Sequence, residues 1–118
     1  MLVQIIFVFL IVIYSGCSNQ NQQLYKVSNV SQTELIILSK KKEQETISSF
    51  EIKINGKIDG KAKIALLLND GVYKTENISG NVNIKWGGDW YSDEIQIQYE
   101  PQSVNSGDIK LKYSFGSF

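Results

Sequence analysis

The residues best placed to do chemistry lie close together between positions 86 and 94. Trp86, Trp90 and Tyr91 bring three large aromatic rings into one short stretch, and Asp89, Asp93 and Glu94 add three carboxylates. Two kinds of chemistry follow from those types. An exposed ring stacks on a sugar face or anchors a protein partner, with neighbouring polar groups fixing the orientation. Carboxylates joined by loop carbonyls form the oxygen-rich shell that calcium requires, although no EF-hand spacing is present. Trp86 keeps the parity of the apolar residues before it and reads as a core side chain. Trp90 and Tyr91 are adjacent, so in an extended chain they point to opposite sides and at least one of them faces solvent. Tyr73 and Tyr99 are the other aromatic side chains able to join this group. The expected ligand-binding residues are therefore Trp90, Tyr91 and Asp89.

Catalytic equipment is sparse. The chain has no histidine, so the usual general base near neutral pH and the commonest transition-metal ligand are both missing. Serines and threonines are plentiful but have no imidazole to activate them. A carboxylate pair for glycoside hydrolysis needs a defined separation across a cleft, and nothing in the spacing sets one. The expectation is a protein that is not an enzyme and uses no cofactor and no resident metal. All twelve basic residues are lysines, balanced by twelve acidic residues. Phosphate-backbone binding usually needs a basic excess, and arginine is the usual reader of base edges. Nucleic acid is thus not an expected partner.

The single cysteine, Cys17, cannot form an internal disulfide. It stands at the end of the apolar run Ile5-Ile6-Phe7-Val8-Phe9-Leu10-Ile11-Val12-Ile13, which is shorter than the roughly 20 residues a membrane-spanning helix needs. Its length suits the apolar core of a signal peptide, closed by small residues at a cleavage point. With Tyr14-Ser15-Gly16-Cys17 at its end, the segment resembles the signal peptide and lipobox of bacterial lipoproteins. Tyr14 stands where that motif favours leucine, and no lysine precedes the apolar run. The resemblance implies cleavage before Cys17, a lipid on its thiol, and residence on a bacterial membrane, facing outward or into the periplasm. Residues 1–16 would be the signal peptide, and 17–32 the lipidated cysteine with a polar tether beginning Ser18-Asn19-Gln20-Asn21-Gln22-Gln23. The folded domain is expected over 33–118.

That domain reads as strands. Leu24–Val27 suggests one short strand, and the apolar run Leu35-Ile36-Ile37-Leu38 a second. Phe50, Ile52, Ile54 and Ile58 alternate with Glu51, Lys53 and Lys57, the pattern of a strand with one wet face. The apolar phase runs through Asn55-Gly56, which places a hairpin turn at Asp59-Gly60 instead. A return strand follows with Ala62, Ile64, Leu66 and Leu68, its other face partly apolar through Ala65 and Leu67. Asn69-Asp70-Gly71 marks a turn, Val72–Thr75 a short edge strand, and Ile78–Trp86 a separate alternating strand. Ile95–Tyr99, closed by Pro101, and Ile109–Phe115 complete the set. Six to seven short strands with turn signals between them predict a small antiparallel β-sandwich. The function expected of such a domain is binding at the cell envelope, with a glycan or an envelope protein as ligand. The alternative is an accessory subunit of an envelope assembly without a small ligand.

Overall fold

The computed structural model describes residues 22–69 and 71–118. The expected signal peptide, the lipid site Cys17, most of the tether and Asp70 lie outside the described residues. Six strands make up the fold: β1 (Gln23–Lys26), β2 (Glu34–Ser39), β3 (Ile47–Leu68), β4 (Gly71–Asp89), β5 (Glu94–Pro101) and β6 (Gly107–Ser117). All pairings are antiparallel, in the order β1-β6-β3-β5-β2, with β4 alongside β3. The expected all-β, sandwich-like architecture is what the chain adopts.

The spine is β3, 22 residues long. One of its edges pairs with β4 along nearly its whole length. The other edge changes partner: Ile47–Ile58 pairs with β6, and Ala62–Leu67 pairs with β5. The change falls at Asp59-Gly60, where two residues are inserted opposite the Gly80–Ser79 step of β4. The expected hairpin turn at Asp59-Gly60 is therefore a bend inside one strand. An insertion of two keeps the side-chain parity, so Ile58 and Ala62 are buried on the same face. Likewise, Val72–Thr75 and Ile78–Trp86 are one strand, not two. Residues 71–77 of β4 are exposed throughout, so no alternation joins them to the alternating part.

The bend divides the curled sheet into two layers over one core. The first layer comprises β1, β6, residues 47–58 of β3 and residues 80–89 of β4; the second comprises β2, β5 and the remaining parts of β3 and β4. Ile52, Ile54, Leu111 and Phe115 of the first layer share a single buried cluster with Ile36, Leu38, Ile64, Leu66, Ile97 and Tyr99 of the second. Each fully buried aliphatic side chain stabilises by about 1.5–3 kcal/mol relative to its exposed state. No charged residue is buried among the described residues. Side chains lace the open side between the end strands. The Gln23 amide donates to the Ser39 carbonyl at 3.2 Å, and the Tyr25 hydroxyl donates to the Glu34 carboxylate. That bond to Glu34, followed by partial burial, raises the Tyr25 pKa above its ordinary value.

The folded domain also starts earlier than expected. β1 lies inside the stretch 17–32 assigned to the tether, because Val27 and Val30 are buried in the core. The hydroxyl of fully buried Tyr99 donates to the Val30 carbonyl at 2.6 Å. Burial raises the Tyr99 pKa, so it stays a neutral donor there. The fold therefore includes residues 23–30 of the stretch expected to be tether.

Candidate functional site

Residues 90–93 carry the chain from the first layer to the second. Asp89 ends β4 opposite Ser49 of β3, and the next backbone N–H, that of Trp90, donates to the Ser48 carbonyl at 3.1 Å. At the far end of the crossing, the Asp93 carbonyl accepts from Lys40 N–H at 3.0 Å, and Glu94 opens β5 opposite Ser39. Both ends of this four-residue connection are thus fixed by backbone bonds to different layers.

The two adjacent aromatic residues separate sharply. Trp90 is 6% exposed, with its ring edge-on to Phe50 at 5.0 Å between centroids and 62° between planes. Its indole N–H donates to the Glu94 carbonyl at 3.1 Å. Tyr91 is 74% exposed. Trp90 is thus a core side chain at the edge of the buried cluster, and Tyr91 is the exposed ring. Trp86 is buried, as its parity implies, and Tyr99 is buried well away from this loop on the Val30 carbonyl.

A second element converges on the same end. The β3–β4 hairpin tip brings Leu68, Asn69 and Tyr73 against the loop. Asn69 takes a left-handed backbone conformation, φ 53°, which asparagine tolerates better than most residues. Together with Asp89, Trp90, Tyr91 and Ser92 these residues line a shallow hollow of about 280 Å³. An adjoining hollow of about 320 Å³ shares Leu68, Asn69, Trp90 and Ser92 and reaches Glu94 and Gln96. Tyr73, half-exposed at 54%, supplies a second ring to the first hollow. Of the expected ligand residues, Tyr91 and Asp89 are accessible, and Trp90 contributes only as wall. Leu68 and Asn69 are the residues that sequence reasoning missed. Their sole local signal was the turn Asn69-Asp70-Gly71, which does not say where the turn docks.

Among the described residues no three His, Cys, Asp or Glu side chains, Asp89, Asp93 and Glu94 included, form a group able to hold a metal ion. Besides the Trp90 wall, the first hollow offers two phenolic rings, an amide, a hydroxyl and a carboxylate around apolar Leu68. Side chains of those types are suited to stacking and hydrogen bonding.

No family model matches the chain, and no curated protein matches its sequence. Among solved structures, PirA is 11% identical with a TM-score of 0.46, covering 84% of this chain and 96% of that one. The coat protein of Tobacco streak virus is 10% identical with a TM-score of 0.40, covering 82% and 88%. At these identities neither neighbour's role transfers to this chain.

Proposed function

We propose that this chain is an exported, lipid-anchored domain of a bacterial cell envelope. Its work is binding rather than catalysis, with the ligand, a glycan or a protein segment, held at the hollow between the β3–β4 tip and the 90–93 loop. The observation that carries this reading is Tyr91, a large ring left 74% exposed in a loop whose two ends are fixed. A rigidly mounted aromatic loses little conformational freedom when it binds, which favours affinity. Trp90 lines the same hollow, so its fluorescence reports occupancy. Titration with a broad glycan panel is expected to shift that emission. Tyr91→Ala should weaken binding by about tenfold or more while changing fold stability by less than about 0.5 kcal/mol. Emission unchanged across the whole panel would sink the glycan reading.

Such a null result would favour the accessory-subunit reading, which one observation supports. On β2, which among the described residues pairs only with β5, Leu35 and Ile37 each stand 51% exposed on the outer face. An accessible edge carrying apolar side chains is a template for another chain.

The anchor reading rests on the lipobox resemblance at Tyr14-Ser15-Gly16-Cys17. Each buried lipid methylene contributes about 0.8 kcal/mol, so one acyl chain holds marginally and two or three hold durably. Cys17→Ser is therefore expected to move the protein from the membrane to the soluble exported fraction. Equal membrane retention of the variant would exclude a lipid on Cys17.

A further inference from the structure

Charge is balanced over the sequence and segregated in the fold. The outer face of the first layer carries Lys26, Lys53, Lys57, Lys85, Lys110 and Lys112, all exposed. Register places Lys53 directly between Lys112 and Lys85 on its two neighbouring strands, and Lys26 directly opposite Lys110. Three carboxylates share this face: Glu51, 3.5 Å from Lys85, Asp108, opposite Lys57, and Asp89, opposite Ser49 at the end of β4. In the whole chain the other six lysines are outnumbered by nine carboxylates. Like charges directly across a sheet repel and cost stability, so this arrangement opposes folding unless an anionic surface relieves it.

The shape of the array selects the partner. With strands about 4.8 Å apart, the Lys112–Lys53–Lys85 row spans roughly 10 Å across a sheet face rather than lining a groove. Arginine, the side chain suited to bidentate phosphate recognition, is absent from the chain. A field of point charges on a plane matches a plane of headgroups. Gln22, the first described residue, lines a hollow on this face with Glu51, Lys53, Lys85 and Lys112. Whatever its conformation, the chain from Cys17 to Gln23 spans at most about 20 Å, so a lipid on Cys17 would keep this face within that distance of the bilayer.

We propose that the lysine-rich outer face of the first layer lies on an anionic phospholipid surface. This would orient the domain so that the edge and face of the second layer point away from the bilayer. The orientation rests on the anchored reading above; the charge complementarity does not.

The test is lysine footprinting of the full chain, reconstituted on vesicles of phosphatidylcholine alone or of phosphatidylcholine with phosphatidylglycerol. Acetylation by a water-soluble reagent at Lys26, Lys53, Lys85, Lys110 and Lys112 is compared with that at Lys61 and Lys74, which lie on the second layer. With the anionic vesicles, the five face lysines should react several-fold more slowly than with the neutral ones, and Lys61 and Lys74 at the same rate on both. The difference should vanish in about 1 M salt, where screening shortens to about 3 Å. Lys53→Glu with Lys112→Glu should restore fast acetylation at Lys26, Lys85 and Lys110. Both side chains are exposed, so an unchanged near-ultraviolet circular dichroism spectrum confirms the fold of that variant. Equal rates on the two vesicle types overturn the proposal. Protection by soluble polyphosphate without protection by anionic vesicles also overturns it and identifies a polymer ligand. Vesicle flotation separates the two readings: chain that fails to float with neutral vesicles refutes the anchor, while protection by excess anionic vesicles still reads the face.

Discussion

Trp90→Ala is expected to destabilise the domain by about 3–5 kcal/mol, the range for removing a large aromatic from a core. The side chain is 6% exposed and rests edge-on against Phe50. Against a total stability of about 5–15 kcal/mol, that loss would leave a large unfolded fraction in mild denaturant. Urea unfolding of the wild type and variant measures it directly. Trp90→Phe separates the two contributions. It keeps most of the apolar contact with Phe50 but removes the indole donor, leaving the Glu94 carbonyl without its 3.1 Å partner; the expected cost is about 1–3 kcal/mol. A double-mutant cycle with Phe50→Leu should give a coupling of about 0.5–1.5 kcal/mol, the worth of an edge-on ring pair beyond its area. A loss below about 1 kcal/mol for Trp90→Ala would mean that the ring is not part of the core, and the hollow beside Tyr91 would lose its wall.

The contrast between Trp90 and Tyr91 shows where sequence reading stops. Parity identifies Phe50, Ile52, Ile54, Ile95, Ile97, Ile109, Leu111 and Phe115 as core without any structure, because a half-buried strand must alternate. All eight are buried. Parity ends at Gly87-Gly88-Asp89, and beyond it the adjacency of two rings says only that they diverge. Which of them turns inward is decided by Ser48 and Phe50, about forty residues earlier in the chain, and no local pattern holds that information. Leu35-Ile36-Ile37-Leu38 poses the same problem in reverse. A run apolar on both faces reads as a fully buried strand, yet only Ile36 and Leu38 face the core. Leu35 and Ile37 stay exposed because nothing among the described residues covers the outer face of β2.

The charged face was invisible for a related reason. Lys53, Lys85 and Lys112 are each unremarkable polar positions on an alternating strand. They become an array only once β3 lies between β4 and β6 in the observed register. Net charge, the quantity read from composition, averages that segregation to zero. Composition has no means of separating an even surface from a two-sided one.

The bend at Asp59-Gly60 carries the second large effect. Asp-Gly gives the same local signal for a hairpin turn and for an inserted pair inside a strand; what distinguishes them is whether the strand finds a new neighbour. Here β5 takes over from β6, and the 102–106 loop fills the angle. The Asp59 carboxylate accepts from Asn105 N–H at 2.8 Å, from Ser106 N–H at 3.1 Å and from the Ser106 hydroxyl at 3.0 Å. Gly60 lies so close to this loop that a Cβ would fall 1.7 Å from the Ser103 carbonyl oxygen. Gly60→Ala must therefore push the loop and the bend apart, with an expected cost at or above the upper end of the about 1–3 kcal/mol typical of overpacking. Gly80, on the other side of the bend, is the control. Its φ is 62° and a Cβ there meets nothing within 4 Å, so Gly80→Ala should cost only the left-handed backbone penalty of about 1–2 kcal/mol. The pH dependence adds a second signature. The backbone donors of Asn105 and Ser106 hold the Asp59 pKa below its ordinary 3.8. A depressed carboxylate contributes stability that is complete above the unfolded value and is lost as pH falls through the folded one. In the wild type, part of the acid destabilisation below about pH 4 should thus come from Asp59, and Asp59→Asn should flatten that limb. If Gly60→Ala separates loop from bend, it should remove the Asp59 part of the acid limb as well, whereas Gly80→Ala should leave it intact. A Gly60→Ala protein with wild-type stability and an unchanged acid limb would show that the bend yields without losing the loop.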